Sequence, residues 1–143
     1  MQSLHKTPLP SNFYLFFIEF LMKVKHQIVN LSADYGLSSM QALTLLLTRE
    51  DEPRPMRGFC DLFGCDPSNI TGIIDGLEQR KLVSRQEHPG DRRIKVIKLE
   101  PKGVKLKAEL IQRVTASSGN IFDTLSAAET KQLVAIFEKL ARV

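Results

Sequence analysis

Apolar residues recur every three or four positions along several stretches of this chain, the spacing that places them on one face of an α-helix. The first such stretch predicts a helix over residues 11–35. Its apolar positions at helical spacing are Phe13, Phe16, Phe17, Phe20, Val24, Ile28 and Leu31. More apolar residues surround its first half, so this helix needs burial on more than one side, as a dimer interface would provide.

Local signals mark three further elements in the middle of the chain. A second helix is predicted over residues 38–49, and a third begins near Pro55 and ends at Gly64, which can adopt a left-handed cap conformation. Asp66 and Pro67 then predict the start of a fourth helix, because an acid can cap a helix and proline suits its first turn. The inward positions of this fourth helix are Ile70, Ile73, Ile74 and Leu77.

The hydrophobic period changes after the fourth helix. Residues 82–87 and 94–99 predict two short strands, joined by a loop over residues 88–93. Two helices joined by a tight turn and followed by a hairpin are the elements of a winged helix-turn-helix. In that architecture the second helix lies in the DNA major groove, and the hairpin reaches towards the minor groove. The predicted fold is therefore mainly α with a small β-hairpin wing.

Two helices are predicted after the hairpin. Pro101 opens the first, which is expected to extend to about Ser118. Ser126-Ala-Ala-Glu129 has the spacing of a capping box and begins the last helix. The inward positions expected for that helix are Leu133, Ile136, Phe137 and Leu140. The organisation predicted is a dimerisation helix over residues 1–35, a DNA-binding domain over 36–100 and C-terminal dimerisation helices over 101–143.

Positive charge is concentrated in one part of the chain. The net charge is +4, yet residues 80–107 hold ten Lys and Arg against three acids, +7 in all, which leaves −3 for the rest. A concentrated basic segment is typical of a protein that binds the phosphate backbone. The alternative is a solvated basic face with no ligand, since charge runs are usually that.

Two stretches resemble the MarR family of regulators. Residues 59–83, FCDLFGCDPSNITGIIDGLEQRKLV, resemble the family's helix-turn-helix, and residues 91–103, DRRIKVIKLEPKG, resemble its wing and the helix start that follows. The detailed resemblance covers residues 38–107, and the flanking helices agree in number, length and apolar character. It implies a homodimer with interlocked terminal helices that binds a pseudo-palindromic operator and is often released by a small, frequently aromatic ligand.

The resemblance also implies which residues meet double-stranded DNA. Arg93 would enter the minor groove, with Asp91 orienting it or neighbouring arginines. The residues expected at the DNA are Ser68, Asn69, Thr71, Gly72, Arg85, Asp91, Arg92 and Arg93. Of these, Ser68, Asn69 and Thr71 would face base edges or phosphates from the start of the recognition helix.

The fourth helix departs from the family pattern. Residues 68–79 contain no cation, but they contain Asp75 and Glu78, and the family often has Arg or Lys on this face. Arg or Lys to guanine is the commonest specific contact, so guanine reading by this helix is not expected to be strong. Gly72 and Gly76 lie four apart, and we expect both on the outward face, where they would let the backbone approach DNA or a partner closely. The alternative is that this face makes no close contact and the glycines are tolerated there.

Three other groups of residues have a functional and a structural interpretation. Phe13, Phe16, Phe17 and Phe20 could line an effector pocket between the first helix and the DNA-binding lobe, although an apolar stripe is more often core. Cys60 and Cys65 could form a redox switch, although packing is expected of them. His5, His26 and His88 lack ligand-like spacing, so neither a metal site nor any other cofactor is expected.

These patterns favour a sequence-specific regulator of transcription, most simply a repressor, over two other classes. No nucleophile constellation or phosphate loop is present, so no enzyme activity and no catalytic residue are expected. No apolar stretch is long enough to cross a bilayer and no secretory signal is recognisable, so a soluble cytoplasmic protein is expected. The alternative function is a winged-helix module that binds another protein and reads DNA weakly or not at all.

Overall fold

The computed structural model describes residues 9–116 and 121–142. The described chain is mainly helical, with one small antiparallel sheet, so the predicted fold class is confirmed. The elements in chain order are α1 (Phe13–Asp34), α2 (Ser39–Leu47), β1 (Arg54–Pro55), α3 (Met56–Phe63), α4 (Pro67–Gln79), β2 (Val83–His88), β3 (Asp91–Leu99), α5 (Pro101–Ala116) and α6 (Ala127–Leu140).

Local signals place the helix-turn-helix as the sequence predicts. The turn from α3 to α4 passes through Gly64, whose φ of 60° is left-handed, a conformation that costs glycine little. Asp66 is the N-cap residue of α4 and Pro67 its first residue, but the Asp66 side chain makes no capping hydrogen bond to the first turn. Asp66 therefore has the extended backbone of an N-cap residue (ψ 152°), but its carboxylate does not cap the helix.

The sheet differs from the expected hairpin in two respects. It has a third strand, β1, which pairs with β3 through Arg54–Ile97 and Pro55–Val96, giving the order β1-β3-β2. Pro55 thus ends a strand and precedes α3 as its N-cap, instead of lying in the first turn of the helix. The loop predicted over residues 88–93 is also too long, because β3 begins at Asp91.

The hydrophobic core of the described residues lies within the winged-helix lobe and α5. Its residues come from α2, α3, α4, the sheet and α5, and the completely buried ones include Leu45, Phe59, Ile70, Ile74, Leu77, Leu82, Ile97 and Leu110. Gly103 in α5 lies against the carbonyl oxygen of Leu82, where a Cβ atom would overlap with backbone. Glycine is therefore needed at this position for α5 to pack on the strand entry.

The terminal helices are exposed within the single chain. In α1 only Ser32 is buried, and in α6 no described residue is. The α6 positions expected to point inward face α1, but Ile136, Phe137 and Leu140 are exposed and Leu133 is only half-buried. An open apolar cavity of about 480 Å³ lies between the two helices.

The boundaries of α5 and α6 follow their sequence signals as far as the structure describes them. The predicted end of the fifth helix near Ser118 lies outside the described residues. The capping box at the start of α6 is present, with Ser126 and Glu129 bonded reciprocally. The Ser126 hydroxyl and amide both donate to the Glu129 carboxylate and lower its pKa.

Candidate nucleic-acid interface

The first turns of α4 present an open polar face. Ser68, Asn69, Thr71 and Gly72 are all exposed, and nothing lies within 4 Å of the position that a Cβ atom would occupy at Gly72. The Thr71 hydroxyl donates to the carbonyl of Pro67 at 2.9 Å, which fixes its proton on its own helix. The face is therefore polar, uncharged and free of large side chains.

The second glycine of α4 does not lie on that face. Gly76 is half-buried, and a Cβ atom added there would meet the side-chain amide of Gln41 at the start of α2. The expectation that both glycines point outward is wrong for Gly76. Four residues advance an α-helix by about 40° more than one full turn, and that rotation brings Gly76 round to α2.

The two acids of α4 are paired with a single cation from the wing. Arg85 in β2 donates through Nη2 to Asp75 Oδ1 at 2.6 Å and through Nη1 to Glu78 Oε2. The backbone N–H of Arg85 donates to the other Glu78 oxygen at 2.8 Å. Arg85 was predicted as a DNA contact; its side chain is three-quarters buried and joins the wing to the recognition helix.

The wing tip carries the exposed cations. The side chains of Arg92 and Arg93 are 91% and 95% exposed, and their nearest acids, Glu87 and Asp91, lie 3.9 and 3.6 Å away. Asp91 also accepts the backbone N–H of Arg93 at 3.0 Å, which fixes the start of β3. Exposed pairs at such distances are weak, so both guanidinium groups can exchange their acid for a phosphate.

Several cations of the basic segment are used inside the fold. Arg80 donates to the carbonyls of Tyr35 and Gly36 at 2.9 Å, and Lys107 donates to the carbonyl of Thr48 at 2.6 Å. Both neutralise the unpaired carbonyl end of a helix, α1 and α2 respectively. The count of cations in the sequence therefore overstates the positive charge that a ligand can reach.

The phenylalanines proposed for an effector pocket lie elsewhere than expected. Phe13, Phe17 and Phe20 line the cavity between α1 and α6, not the junction with the DNA-binding lobe, and Phe16 is exposed. Phe20 packs edge-on against Phe122 at 5.8 Å. Periodicity identified the apolar face of α1 but not the element it faces, since that depends on the path of the whole chain.

A separate cavity of about 200 Å³ lies where α1 meets α2 and α5. Val24 and Ile28 line it from α1, Leu46 from α2 and Ile111 from α5. Its described lining carries no charged group, and Gln27 and Thr115 supply its polar atoms. Sequence patterns could not predict this cavity, because its walls form only when α1, α2, α5 and the segment after α5 pack together.

The two cysteines are half-buried thiols at the helix-turn-helix turn. Partial desolvation, with Cys60 and Asp66 nearby, raises the pKa of Cys65 and keeps its thiol protonated at neutral pH. Among the described residues, His, Cys, Asp and Glu form no group of three that could hold a metal ion. Nor is any described helix both long and apolar enough to cross a membrane.

Comparisons with known proteins agree with this architecture. The chain is 28% identical over 123 residues to the HTH-type transcriptional regulator YpoP of Bacillus subtilis (strain 168), covering 84% of this chain and 87% of YpoP. The crystal structure of CouR from Rhodococcus jostii RHA1 is 28% identical, covers 92% of this chain and 93% of CouR, and superposes with a TM-score of 0.72.

A second structure and a family model complete the comparison. A MarR-family transcriptional regulator from Rhodococcus sp. RHA1 is 26% identical over 94% of this chain and 96% of its own, with a TM-score of 0.72. The sequence model of the MarR family matches residues 35–94, which span the helix-turn-helix and most of the wing. Over residues 35–94 this chain is therefore similar to the MarR family, and its winged-helix lobe and flanking helices have the fold of MarR-family transcription regulators.

Proposed function

We propose that this protein binds double-stranded DNA as a homodimer and represses transcription from a pseudo-palindromic operator. The observation that carries the proposal is the pairing of an open polar face on α4 with an arginine tip on the wing, on one lobe. Ser68, Asn69, Thr71 and Gly72 would meet the major groove. Arg92 and Arg93, with Asp91 behind them, would meet the minor groove, whose potential attracts arginine.

Arg85 does not belong to the proposed set of DNA contacts. Its guanidinium is already bonded to Asp75 and Glu78, and leaving them for a phosphate would unpair two acids beside the DNA. The phosphate affinity in this proposal comes from the exposed wing cations, since backbone charge supplies nearly all non-specific affinity.

Dimerisation is proposed through residues 1–35 and 101–143, leaving 36–100 as the DNA-binding domain. The support is the apolar surface that α1 and α6 expose, including Tyr14, Leu15, Ile18, Val134 and Ile136. Contiguous apolar surface of this kind marks an interaction site. A twofold dimer would bury the same patch on both copies and space two wings for two half-sites.

A small apolar effector is proposed for the cavity between α1, α2 and α5. CouR has been crystallised with p-coumaroyl-CoA, which shows that a related protein binds an aromatic acyl ligand. In this chain the described cavity lining is uncharged, which suits a neutral aromatic better than an aromatic acid. Occupancy there would bias the angle between the dimerisation helices and the lobe, and so release DNA.

The experiment is a gel-shift titration with the DNA upstream of the protein's own gene, at several salt concentrations. Duplexes selected from a random library serve as a second probe. We expect specific binding, and we expect the logarithm of the association constant to fall linearly with the logarithm of the salt concentration. The matched control is Arg92→Ala with Arg93→Ala, which removes the wing cations. Equal, weak binding of both proteins to every duplex would reject the proposal.

The second candidate function, a module that binds another protein, has one specific observation in its favour. The exposed face of α4 has no cation with which to read guanine. Its two acids, however, are both paired with Arg85, which offsets one of their two negative charges and so reduces their repulsion from DNA. Absence of DNA binding in the gel shift, with a normal dimer in solution, would favour this second function.

A further inference from the structure

The pair of acids on α4 raises a question that rests on the proposed function. Carboxylates on a helix that lies in a groove of DNA are repelled by the phosphates, yet Asp75 and Glu78 are two of the thirteen residues of α4. Both face the wing, where Arg85 reaches them from β2. Two questions follow: what the acids contribute to the fold, and what offsets their negative charge beside DNA.

The acids are kept because they hold the wing to the helix. Sheet order β1-β3-β2 makes β2 an edge strand, so the N–H of Arg85 has no strand partner on its outer side. Glu78 accepts that N–H at 2.8 Å and accepts Nη1 of the same residue with its other oxygen. Asp75 accepts Nη2 at 2.6 Å and the Thr71 carbonyl accepts it at 3.4 Å, so Arg85 joins β2 to α4 by four hydrogen bonds.

Arg85 reduces the repulsion between these two acids and the phosphates of DNA. Its side chain is 25% exposed, and those of Glu78 and Asp75 are 30% and 50% exposed, so the three charges are partly shielded from solvent. Salt screens such a cluster less than it screens the wing tip. Without the guanidinium, two carboxylates would remain beside the phosphate backbone, where like charges are costly.

We propose that Arg85 is a positioning residue that offsets part of the negative charge on the acidic side of the recognition helix and fixes the wing to it, without contacting DNA itself. Loss of Arg85 would lower DNA affinity, as loss of a phosphate contact would, but the cause would be the two unpaired acids. The two causes differ in what happens when the acids are also removed.

A mutant cycle separates them. Arg85→Gln is made in the natural chain and in the Asp75→Asn, Glu78→Gln background, and all four proteins are titrated against the duplex that the natural chain selects from a random library. We expect Arg85→Gln to lower affinity at least about tenfold in the natural chain. In the amide background the same change should alter affinity by no more than about twofold, the margin for independent effects.

Salt dependence supplies the second readout. A lost phosphate contact lowers the salt slope by about one, whereas neutralisation of internal acids leaves the slopes of the two amide-background proteins equal. Lys131→Ala on α6 is the control for loss of one charge far from the lobe, and it should bind as the natural chain does. Thermal unfolding of each variant shows which of them are folded.

Each outcome decides the proposal. Equal loss of affinity in both backgrounds would overturn it in favour of direct contact, and no loss in either would show that the acids need no partner. If Arg85→Gln alone does not fold, the triple variant decides: folded with near-natural affinity it supports the proposal, and folded with weak affinity it overturns it. Failure of the natural chain to select any duplex would refute the proposed function instead.

Discussion

The winged-helix lobe and the terminal helices are built on the same amphipathic spacing, yet only the lobe completes its core within one chain. Phe59, Ile74 and Leu77 are fully buried there, whereas Phe16 and Ile136 on the terminal helices are more than half exposed. A helix that is apolar nearly all round needs partners on several sides. The difference shows that one copy of the chain completes the core of the lobe and leaves the apolar side chains of the terminal helices exposed.

The largest expected effect follows from removing one half of the incomplete region. Deleting residues 126–143 removes α6 and leaves Phe13, Phe17 and Phe20 of α1 without the helix they face. We expect the shortened chain to aggregate or unfold, which size-exclusion chromatography with light scattering and circular dichroism would detect. A folded, soluble monomer would contradict the claim that α1 needs the apolar surface of α6.

A large-to-small substitution in each region sharpens the contrast. Phe59→Ala should lower the free energy of unfolding by about 3–5 kcal/mol, because the ring is fully buried beside Phe63 and under Arg54. Phe16→Ala is the matched control on α1, where the ring is 62% exposed in the single chain.

The Phe16 variant should lose stability in a way that depends on protein concentration, because the proposed dimer would bury its ring. Chemical denaturation at two protein concentrations measures this. A concentration-independent loss equal to that of Phe59→Ala would mean that α1 packs within one chain after all.

What could be predicted from the sequence follows the same division between local and distant causes. The turn at Gly64, the start of α4 at Pro67 and the capping box at Ser126 depend on neighbours within a few residues, and all three are in the structure. The predicted DNA contacts other than Arg85 remain predictions, whereas Arg85 is paired with Asp75 and Glu78 and the phenylalanines line a cavity facing α6 and not the lobe.

Features that depend on distant partners were missed. Strand β1 is two residues long and exists because β3 lies beside it. From the sequence, the acids of α4 are unfavourable for DNA binding, but in the structure both are paired with Arg85. Helical spacing places Gly76 on the outward face, but in the structure it lies against Gln41 of α2. Lys81 adopts a left-handed conformation (φ 59°) between α4 and β2, a strained position that its residue type gives no reason to expect.

The exposed wing tip should show the opposite balance of effects from the core. Arg93→Ala should weaken operator binding by about 1–3 kcal/mol, since it removes a guanidinium from the groove. Thermal stability should be nearly unchanged, because the side chain is 95% exposed. Gel shift and thermal unfolding on the same preparation test both. Lys139→Ala on α6 is the control, and unaltered affinity of the Arg93 variant would remove the wing from the mechanism.

The smallest expected change concerns Gly72, where stability and DNA affinity should move in opposite directions. Alanine inside a helix is favoured over glycine by about 0.5–1 kcal/mol, and nothing lies within 4 Å of the new methyl group, so Gly72→Ala should stabilise the free protein. If the α4 backbone approaches DNA closely there, the methyl group should lower operator affinity about tenfold, or about 1.4 kcal/mol.

Gly76→Ala is the matched control for that experiment, because it makes the same change on the other side of α4. Its methyl group meets the Gln41 amide, whose oxygen accepts the Ser38 N–H at 3.0 Å in the capping box of α2. Moving Gln41 would weaken that cap and offset the gain in helix propensity, so stability should rise less than for Gly72→Ala, with DNA affinity unchanged. Higher stability of Gly72→Ala with undiminished affinity would show that the open face of α4 keeps its distance from DNA. Sequence reading would then rest on the wing and on DNA shape.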